Sequence, residues 1–479
     1  MTETQVNDQI AVRNPRTGET DYEFNPTTVE ELKEQCTRLR EGQQQWAKLG
    51  LQGRVEVLQK WKDSLLFYKQ EIMDALISDT GRLSESVREF ENISKWIERW
   101  TEVANDLFVS QPPITSQYVP TLEMKQELVP YKLVGVISPW NFPMSLSTMD
   151  MIPALLAGSA VIVKPSEVTP RFIEPIQKSI DAVPELATVL QYVLGAGEVG
   201  AQMIDEVDLI VFTGSEKTGR KVAAQAGQNL IPAFLELGGK DPAIVLKSAD
   251  IESAVQGILF GSICGVGHQC FSTERIYVDE QIHDSFVQRL VEEANKIELA
   301  YTLGNGHLGP IIFDKQAVII REQVEDALSK EAHVQCGGEI EQQNDSLWMR
   351  PTVLTNVNHS MSIMREETFG PVMPVMSFST VEEAVALAND SSYGLSASIF
   401  SSNPEEAYEV AVQLHAGGVS INDAGVLPFV LTEAPEYSAF NCSGLGESRF
   451  GKTGLKRFLR HQLIITKSTT EESPWWYQV

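Results

Sequence analysis

The chain has 479 residues, 38 basic against 65 acidic, for a formal charge of -27 at neutral pH. A field of that sign repels a phosphate backbone, which excludes nucleic acid as a partner, and any phosphate site must be made by local backbone N–H groups and a few cations. With 43% hydrophobic and 22% charged residues, the composition is that of a folded protein large enough for two or three packed units.

Cys36, Cys264, Cys270, Cys336 and Cys442 are odd in number and lack CxxC spacing, which suits neither a disulfide framework nor a zinc site. The first residues, Met1 to Val12, carry no basic segment followed by an apolar one, and no apolar run is long enough for a membrane span. These features predict a cytoplasmic protein in a reducing compartment, with no membrane partner and no metal.

From Thr28 to about Leu107, Val57, Leu58, Trp61, Leu65, Ile72 and Leu76 recur at helical spacing between charged residues, which predicts several amphipathic helices. After Pro112 and Pro113 the texture changes to short apolar runs, Leu133–Ser138, Ala160–Lys164, Val189–Leu194 and Asp208–Phe212, separated by helix-sized segments. Such alternation predicts a parallel, doubly wound sheet. A second series is expected to begin at Phe234–Leu237 and to continue through Ala243–Leu246, Arg275–Val278, Met373–Phe378 and Ser396–Phe400. It predicts a second α/β domain, with Glu236 and Cys270 near the packed boundary where clefts form.

Gly267-His268-Gln269-Cys270 places a cysteine in a glycine-containing turn. Alone, it reads as readily as a packed small hydrophobe. Glu236 ends an apolar run and is followed by Gly238 and Gly239; its bland reading is an ion pair with Lys240. Taken together, the two residues make a candidate nucleophile and base. In Ser138-Pro139-Trp140-Asn141-Phe142-Pro143 two prolines fix an irregular backbone straight after a strand. That turn can aim the Asn141 amide at an oxygen on which negative charge develops, although an asparagine that caps its own loop is common. Gly195-Ala196-Gly197-Glu198-Val199-Gly200 matches GxGxxG, a weak signal by itself.

In order and spacing these elements resemble the aldehyde dehydrogenase superfamily. The similarity runs from Asn14-Pro15-Arg16-Thr17-Gly18-Glu19 through Pro139–Pro143, Lys164-Pro165-Ser166-Glu167, Phe212-Thr213-Gly214-Ser215, Glu236–Lys240 and Cys270 to Glu366-Glu367-Thr368-Phe369-Gly370-Pro371. The resemblance implies an α/β fold of two doubly wound domains, cofactor-binding (1–112 and 131–235) and catalytic (236–435), with a small β oligomerisation arm and C-terminal tail (113–130 and 436–479). The arm, Tyr118–Pro130 with Glu123, Lys125 and Glu127, would join Gln462–Lys467 and build a homodimer or homotetramer by sheet extension. Pro474-Trp475-Trp476-Tyr477 would pack on a neighbouring subunit.

The resemblance also implies oxidation of a small-molecule aldehyde to its acid with NAD(P)+. Cys270 attacks the aldehyde carbon, Asn141 and the Cys270 N–H hold the oxyanion, hydride passes to the nicotinamide, and Glu236 activates the water that hydrolyses the thioester. Gly214 and Ser215 are assigned to the pyrophosphate and Gly197 to the adenine side. Lys164 and Glu167, with Ser166 between them, meet the adenosine ribose. There Glu167 favours NAD by repelling a 2′-phosphate, while Lys164 tolerates NADP. Leu237 presents its backbone to the carboxamide, Glu367 holds the nicotinamide ribose, Phe369 packs beside the ring, and Ser138 and Trp140 complete the cofactor set.

Two departures from the family pattern matter. His268 stands where glutamine is usual; it can lower the thiol pKa or simply keep a loop hydrogen bond. The segment Glu436–Cys442 is altered, and only Ser443-Gly444-Leu445-Gly446 follows the pattern. Around it Phe142, Tyr437 and Phe440 are expected to form an aromatic wall for a bulky or aromatic aldehyde. No basic residue stands out to receive a substrate carboxylate, which disfavours semialdehydes. The rival readings are a CoA-acylating dehydrogenase, whose members generally lack the glutamate at position 236, and a non-catalytic structural protein of the same fold. The latter need not keep nucleophile, base and oxyanion donor together.

Overall fold

The computed structural model describes residues 9–109, 112–430 and 436–470. After a hairpin of Ile10–Arg13 and Thr20–Phe24 come α1 (Val29–Lys48), α2 (Gly50–Phe67), α3 (Lys69–Thr80) and α4 (Leu83–Leu107). Thr28 opens α1 with a capping box: its hydroxyl accepts from the Glu31 N–H, and the Glu31 carboxylate accepts from the Thr28 N–H. The periodic residues Val57, Leu58, Trp61, Leu65, Ile72 and Leu76 are all buried. No helix among the described residues is long and apolar enough to cross a membrane.

The first sheet contains β1 (Leu133–Ile137), β2 (Ala160–Lys164), β3 (Leu190–Tyr192), β4 (Leu209–Thr213) and β5 (Ala233–Glu236). They are parallel, in the spatial order β5-β4-β1-β2-β3. Helices α5 (Pro143–Ala157), α6 (Gly197–Glu206) and α7 (Glu216–Gln228) follow β1, β3 and β4. Both faces of the sheet are covered, so β2 and β4 are buried at every position. That is why they read as continuous apolar runs instead of alternating ones. The chain runs outward from β1 to β3, then returns to place β4 on the other side of β1. The crevice beyond the carboxyl ends of β1 and β4 is therefore the switch point at which open α/β sheets take ligands.

The second sheet contains β6 (Asp241–Val245), β7 (Thr273–Asp279), β8 (Thr352–Thr355), β9 (Val372–Phe378), β10 (Ser396–Phe400) and β11 (Gly418–Ile421). Its order is β8-β9-β7-β6-β10-β11, all parallel, with His333–Cys336 antiparallel beside β8. Helix α8 (Ile251–Ile263) links β6 to β7 and starts at the Asp250 side chain, which accepts from the Ser253 N–H.

Two expectations from the sequence need correction. The run Phe234–Leu237 does not open the second sheet: it is β5, hydrogen-bonded to β4 of the first. An apolar run carries no mark of which sheet it joins; the chain first passes from the first sheet to the second at Leu237–Lys240, where Gly238 and Gly239 admit close neighbours. Likewise, the segment after Glu436 is not all tail. Gly444–Leu445 pairs antiparallel with β5 and covers its edge, and the helix Gly451–Lys456 packs on α4 and α5. Only Leu459–Lys467 joins the arm, pairing antiparallel with Leu122–Pro130, which also pairs with Ile114–Thr115. Leu463 and Ile465 are exposed on it. The expectation for Pro474–Tyr477 falls outside the described residues.

Candidate active site

Cys270 lies three residues before β7, at the rim where the second sheet meets the first. The loop leading to it is tightly specified. Gly265, Val266 and Gly267 are all left-handed, with φ of 60°, 64° and 71°, a conformation that a β-branched residue such as Val266 adopts only under strain. A Cβ on Gly267 would stand 2.4 Å from the Gly370 carbonyl, so only glycine fits. Arg82, buried, ties this loop to the turn after β1: it donates from Nη1 to the Gly265 carbonyl at 3.2 Å and from Nη2 to the Asn141 carbonyl.

Asn141 is brought to the same place. Its Nδ2 donates to the His268 carbonyl at 2.9 Å, which leaves the second proton of the amide for another acceptor. The turn that carries it is held by Pro143 at the start of α5 and by Glu89, whose carboxylate accepts from the Met144 and Ser145 N–H groups. Burial pushes the Glu89 carboxyl up to about 7, against the Ser145 and Met144 N–H groups and the Arg82 charge, which favour its ionised form. Neither Arg82 nor Glu89 was singled out from the sequence, because each is separated by more than fifty positions from the loop it braces.

His268 has no access to water. Its ring stacks on Phe369 and meets Trp140 edge-on, and Nδ1 is 2.8 Å from the Phe369 carbonyl. Burial, with the Arg82 charge adding to it, drives its pKa down to about 3. The imidazole is therefore neutral and donates from Nδ1 to the carbonyl. Of the two readings for this position, the loop hydrogen bond is the one the geometry supports. A neutral ring cannot stabilise a thiolate by charge. We expect His268→Gln and the parent to show the same pH dependence of Cys270 alkylation by iodoacetamide; a curve displaced toward higher pH in the variant would restore the electrostatic role.

The thiol of Cys270 is pushed up by burial, and further by Glu367, Asp241 and Glu236, against the opposing charge of Arg449. Glu236 closes β5, directly across the ladder from Thr213, and its carbonyl accepts from the Gly214 N–H at 3.1 Å. Burial raises the Glu236 pKa, while Arg449 and Arg457 pull it down and Asp150 adds to the rise. The ion pair with Lys240 does not form. Lys240 instead reaches Glu274 at 2.7 Å, both side chains buried, and donates to the Thr368 hydroxyl.

Glu274 in turn accepts from the Thr368 and Phe369 N–H groups at 2.7 Å each. That buried network fixes the turn bearing Glu367, whose carboxylate accepts from the Gly239 N–H at 3.1 Å. A Cβ on Gly239 would stand 2.4 Å from the Cys270 carbonyl. Cys270, Glu367 and the Gly238–Gly239 turn after Glu236 thus converge. Desolvation, reinforced by Glu274, pushes Glu367 up to about 8.

Several of the cofactor residues predicted from the sequence lie at the carboxyl ends of the first sheet's strands. Ser138 and Trp140 follow β1; Gly214 and Ser215 follow β4; Lys164 ends β2, and Ser166 and Glu167 follow it. The Ser138 hydroxyl is buried with no hydrogen-bond partner among the described residues. A Cβ on Gly214 would stand 2.6 Å from the Phe212 ring. Ser215 precedes α7 without capping it by its side chain, so the first N–H groups of that helix are free for an anion. The GxGxxG stretch does follow a strand and open a helix, α6, with Gly197 facing open space and Gly200 against the Lys164 stem. It belongs to β3, however, away from the switch point between β1 and β4. Lys164 is buried, with Nζ 2.9 Å from the Pro165 carbonyl and 3.7 Å from Glu167. An orphaned hydroxyl, an open helix end and a buried cation beside an acid fit a dinucleotide.

The three aromatic residues assigned to substrate make separate contacts. Phe142 lies under the Arg82 guanidinium at 4.7 Å. Tyr437 is buried, its ring 6.0 Å from Phe450 and its hydroxyl donating to the Leu395 carbonyl at 3.4 Å. Phe440 is 44% exposed and tied through its N–H to the Gly394 carbonyl. No ring contact joins the three among the described residues.

A switch-point crevice with these glycine turns, opening toward a partly buried cysteine flanked by acids, defines a nucleotide-dependent oxidoreductase of the α/β class. The family model described as "Aldehyde dehydrogenase family" matches residues 1–466. A putative succinate-semialdehyde dehydrogenase [NADP(+)] of Mycolicibacterium smegmatis is 32% identical over 450 residues, 93% of this chain and 86% of that protein. The structure of a putative aldehyde dehydrogenase, PutA, from Anabaena variabilis is 50% identical, with a TM-score of 0.95 over 98% of this chain and 100% of that one. Betaine aldehyde dehydrogenase from Staphylococcus aureus, solved in complex with NAD+, is 30% identical, with a TM-score of 0.90 over 100% of this chain and 95% of that one.

The chain belongs to the aldehyde dehydrogenase family. It is an NAD(P)-dependent enzyme that oxidises an aldehyde.

Proposed function

We propose that the enzyme releases a free carboxylic acid by covalent catalysis on Cys270, with Glu236 as the base for hydrolytic water and Asn141 as a donor to the oxyanion. The observation that carries this reading is the convergence of three chain segments, the turns after β1 and β5 and the loop before β7, around Cys270. Burial keeps the resting thiol protonated, so its proton passes to water as the sulfur bonds to the aldehyde carbon and the carbonyl π bond opens onto oxygen. The remaining Asn141 proton and the Cys270 N–H then meet the new negative charge. NAD(P)+, when bound, supplies the hydride acceptor that makes the hemithioacetal a thioester. Glu236 takes a proton from water as the water oxygen bonds to the acyl carbon and the C–S bond breaks.

In the same proposal Gly214 and Ser215 hold the pyrophosphate, Gly197 lines the adenine side, and Lys164, Ser166 and Glu167 hold the adenosine ribose. Glu367 takes the second ribose; Phe369, Trp140, Ser138 and Leu237 border the nicotinamide. Glu167 stands within ion-pair distance of Lys164, so a 2′-phosphate meets a carboxylate as well as an ammonium, and NAD is preferred. The exposed apolar residues of the arm sheet are the surface through which copies of the chain join.

Product analysis with each cofactor, with and without CoA, tests the reading. We expect free acid without CoA, formed faster with NAD+ than with NADP+. Reduced cofactor that accumulates only when CoA is added, with an acyl-CoA product, would overturn hydrolysis; faster turnover with NADP+ would overturn the preference.

A further inference from the structure

Asp150, on α5, is fully buried and gripped by two buried arginines. Arg449 places Nε 3.1 Å from Oδ1 and Nη2 2.5 Å from Oδ2, and Arg457 reaches Oδ1. Two cations against one anion leave one positive charge unbalanced in the interior. As a device for holding a fold together, a buried cluster of this kind is a poor choice, since desolvation consumes most of the Coulombic gain. Its position gives it another use. The Nη2 of Arg449 also donates to the Thr213 hydroxyl at 3.1 Å, and Thr213 is the ladder partner of Glu236. Arg457 lies 5.3 Å over the ring of Phe234, two residues before Glu236 and on the same face of β5. Its Nε and Nη1 are buried with no hydrogen-bond partner among the described residues.

We propose that the Asp150–Arg449–Arg457 cluster positions the base electrostatically: its surplus positive charge keeps the Glu236 carboxylate ionised, ready to accept the proton of the water that hydrolyses the thioester. The inference rests on Glu236 being that base. In the step concerned, the water oxygen bonds to the acyl carbon, the C–S bond breaks, the water proton passes to Glu236, and the sulfur leaves as thiolate to be reprotonated. The groups that face Glu236 are Arg449 and Arg457 from the segment after Gly446, Asp150 from α5, Tyr437, and Cys270. Burial and Asp150 oppose ionisation of Glu236; the two arginines favour it. With the arginines outnumbering the acid, the sign of the cluster is the one a base needs.

The test is the pH dependence of the deacylation rate, read as steady-state turnover after the first burst of reduced cofactor. Arg449→Met should move the acid limb of that profile upward by about one pH unit and slow deacylation about tenfold at pH values below both limbs, with a smaller loss at neutral pH and the burst preserved. Arg449→Lys, which keeps the charge, should leave the limb in place. Asp150→Asn, which enlarges the surplus, should move it the other way, a reversal that a merely structural role does not produce, and it decides the matter if Arg449→Met does not fold. An acid limb that stays put in Arg449→Met, or one that moves in the same direction in both charge variants, would overturn the proposal. Glu236→Gln separates this from the premise: if deacylation survives in that variant, Glu236 is not the base; if deacylation is lost there yet the limb is indifferent to Arg449, only the cluster's role fails.

Discussion

Cys270→Ala will lower kcat/KM for aldehyde oxidation by about four orders of magnitude or more while leaving the fold intact. The loss is that large because no other sulfur can take over. Cys36 is in the core of the opening helices, Cys336 lies at the far edge of the second sheet, and Cys442 contacts Arg220. Cys264, at the other end of the same loop, faces Arg88 at 4.0 Å. The structure is retained because the loop is shaped by Gly265–Gly267, by Arg82 and by the His268–Phe369 bond, none of which uses the Cys270 side chain. Thermal unfolding should therefore change by no more than a few degrees. Intact-mass spectrometry after mixing with aldehyde and cofactor should show no acyl adduct. Residual activity within tenfold of the parent would remove Cys270 from the mechanism.

Glu236→Gln will separate the two halves of the reaction. We expect a first turnover of reduced cofactor at near-parental rate, then a steady state slower by about a thousandfold, with the thioester accumulating on the protein. The amide keeps the size of the side chain and the backbone bonds of β5 to β4 and to Gly444–Leu445. Because burial raises the pKa of Glu236, the parent should lose steady-state activity as pH falls through that raised value, and the variant should have no such acid limb. A burst lost in step with turnover would place Glu236 in acylation instead.

Much of this site is legible in the sequence, for a physical reason. Cys270 and Asn141 lie in short turns beside the ends of strands and Glu236 ends a strand that runs into one, and such turns leave a local signature of glycine and proline. The parallel sheets are equally visible, because strands buried on both faces are continuous apolar runs. Side chains that act from a distance leave no such trace. Arg82, Glu274, Arg449 and Arg457 look like ordinary charges on helices, strands or loops until the chain folds, and Asp150 meets Arg449 across nearly three hundred positions. The same holds for β5, whose apolar run carries no mark of its sheet. His268 shows the limit most sharply: its identity allows either a titrating neighbour for the thiol or a loop hydrogen bond, and only its surroundings, which hold it neutral, favour the second.

The three left-handed residues before the nucleophile carry a wider meaning. A valine held at φ 64° stores about 1–3 kcal/mol that the loop would shed if released. It is kept in place from both sides, by Arg82 and Asn141 of the first layer and by Phe369 and Gly370 of the second. The sulfur is thus registered against two sheets at once. Its aim depends on how those sheets are aligned, so a change far from the reacting atoms, in either layer, is felt at Cys270 as a change of angle.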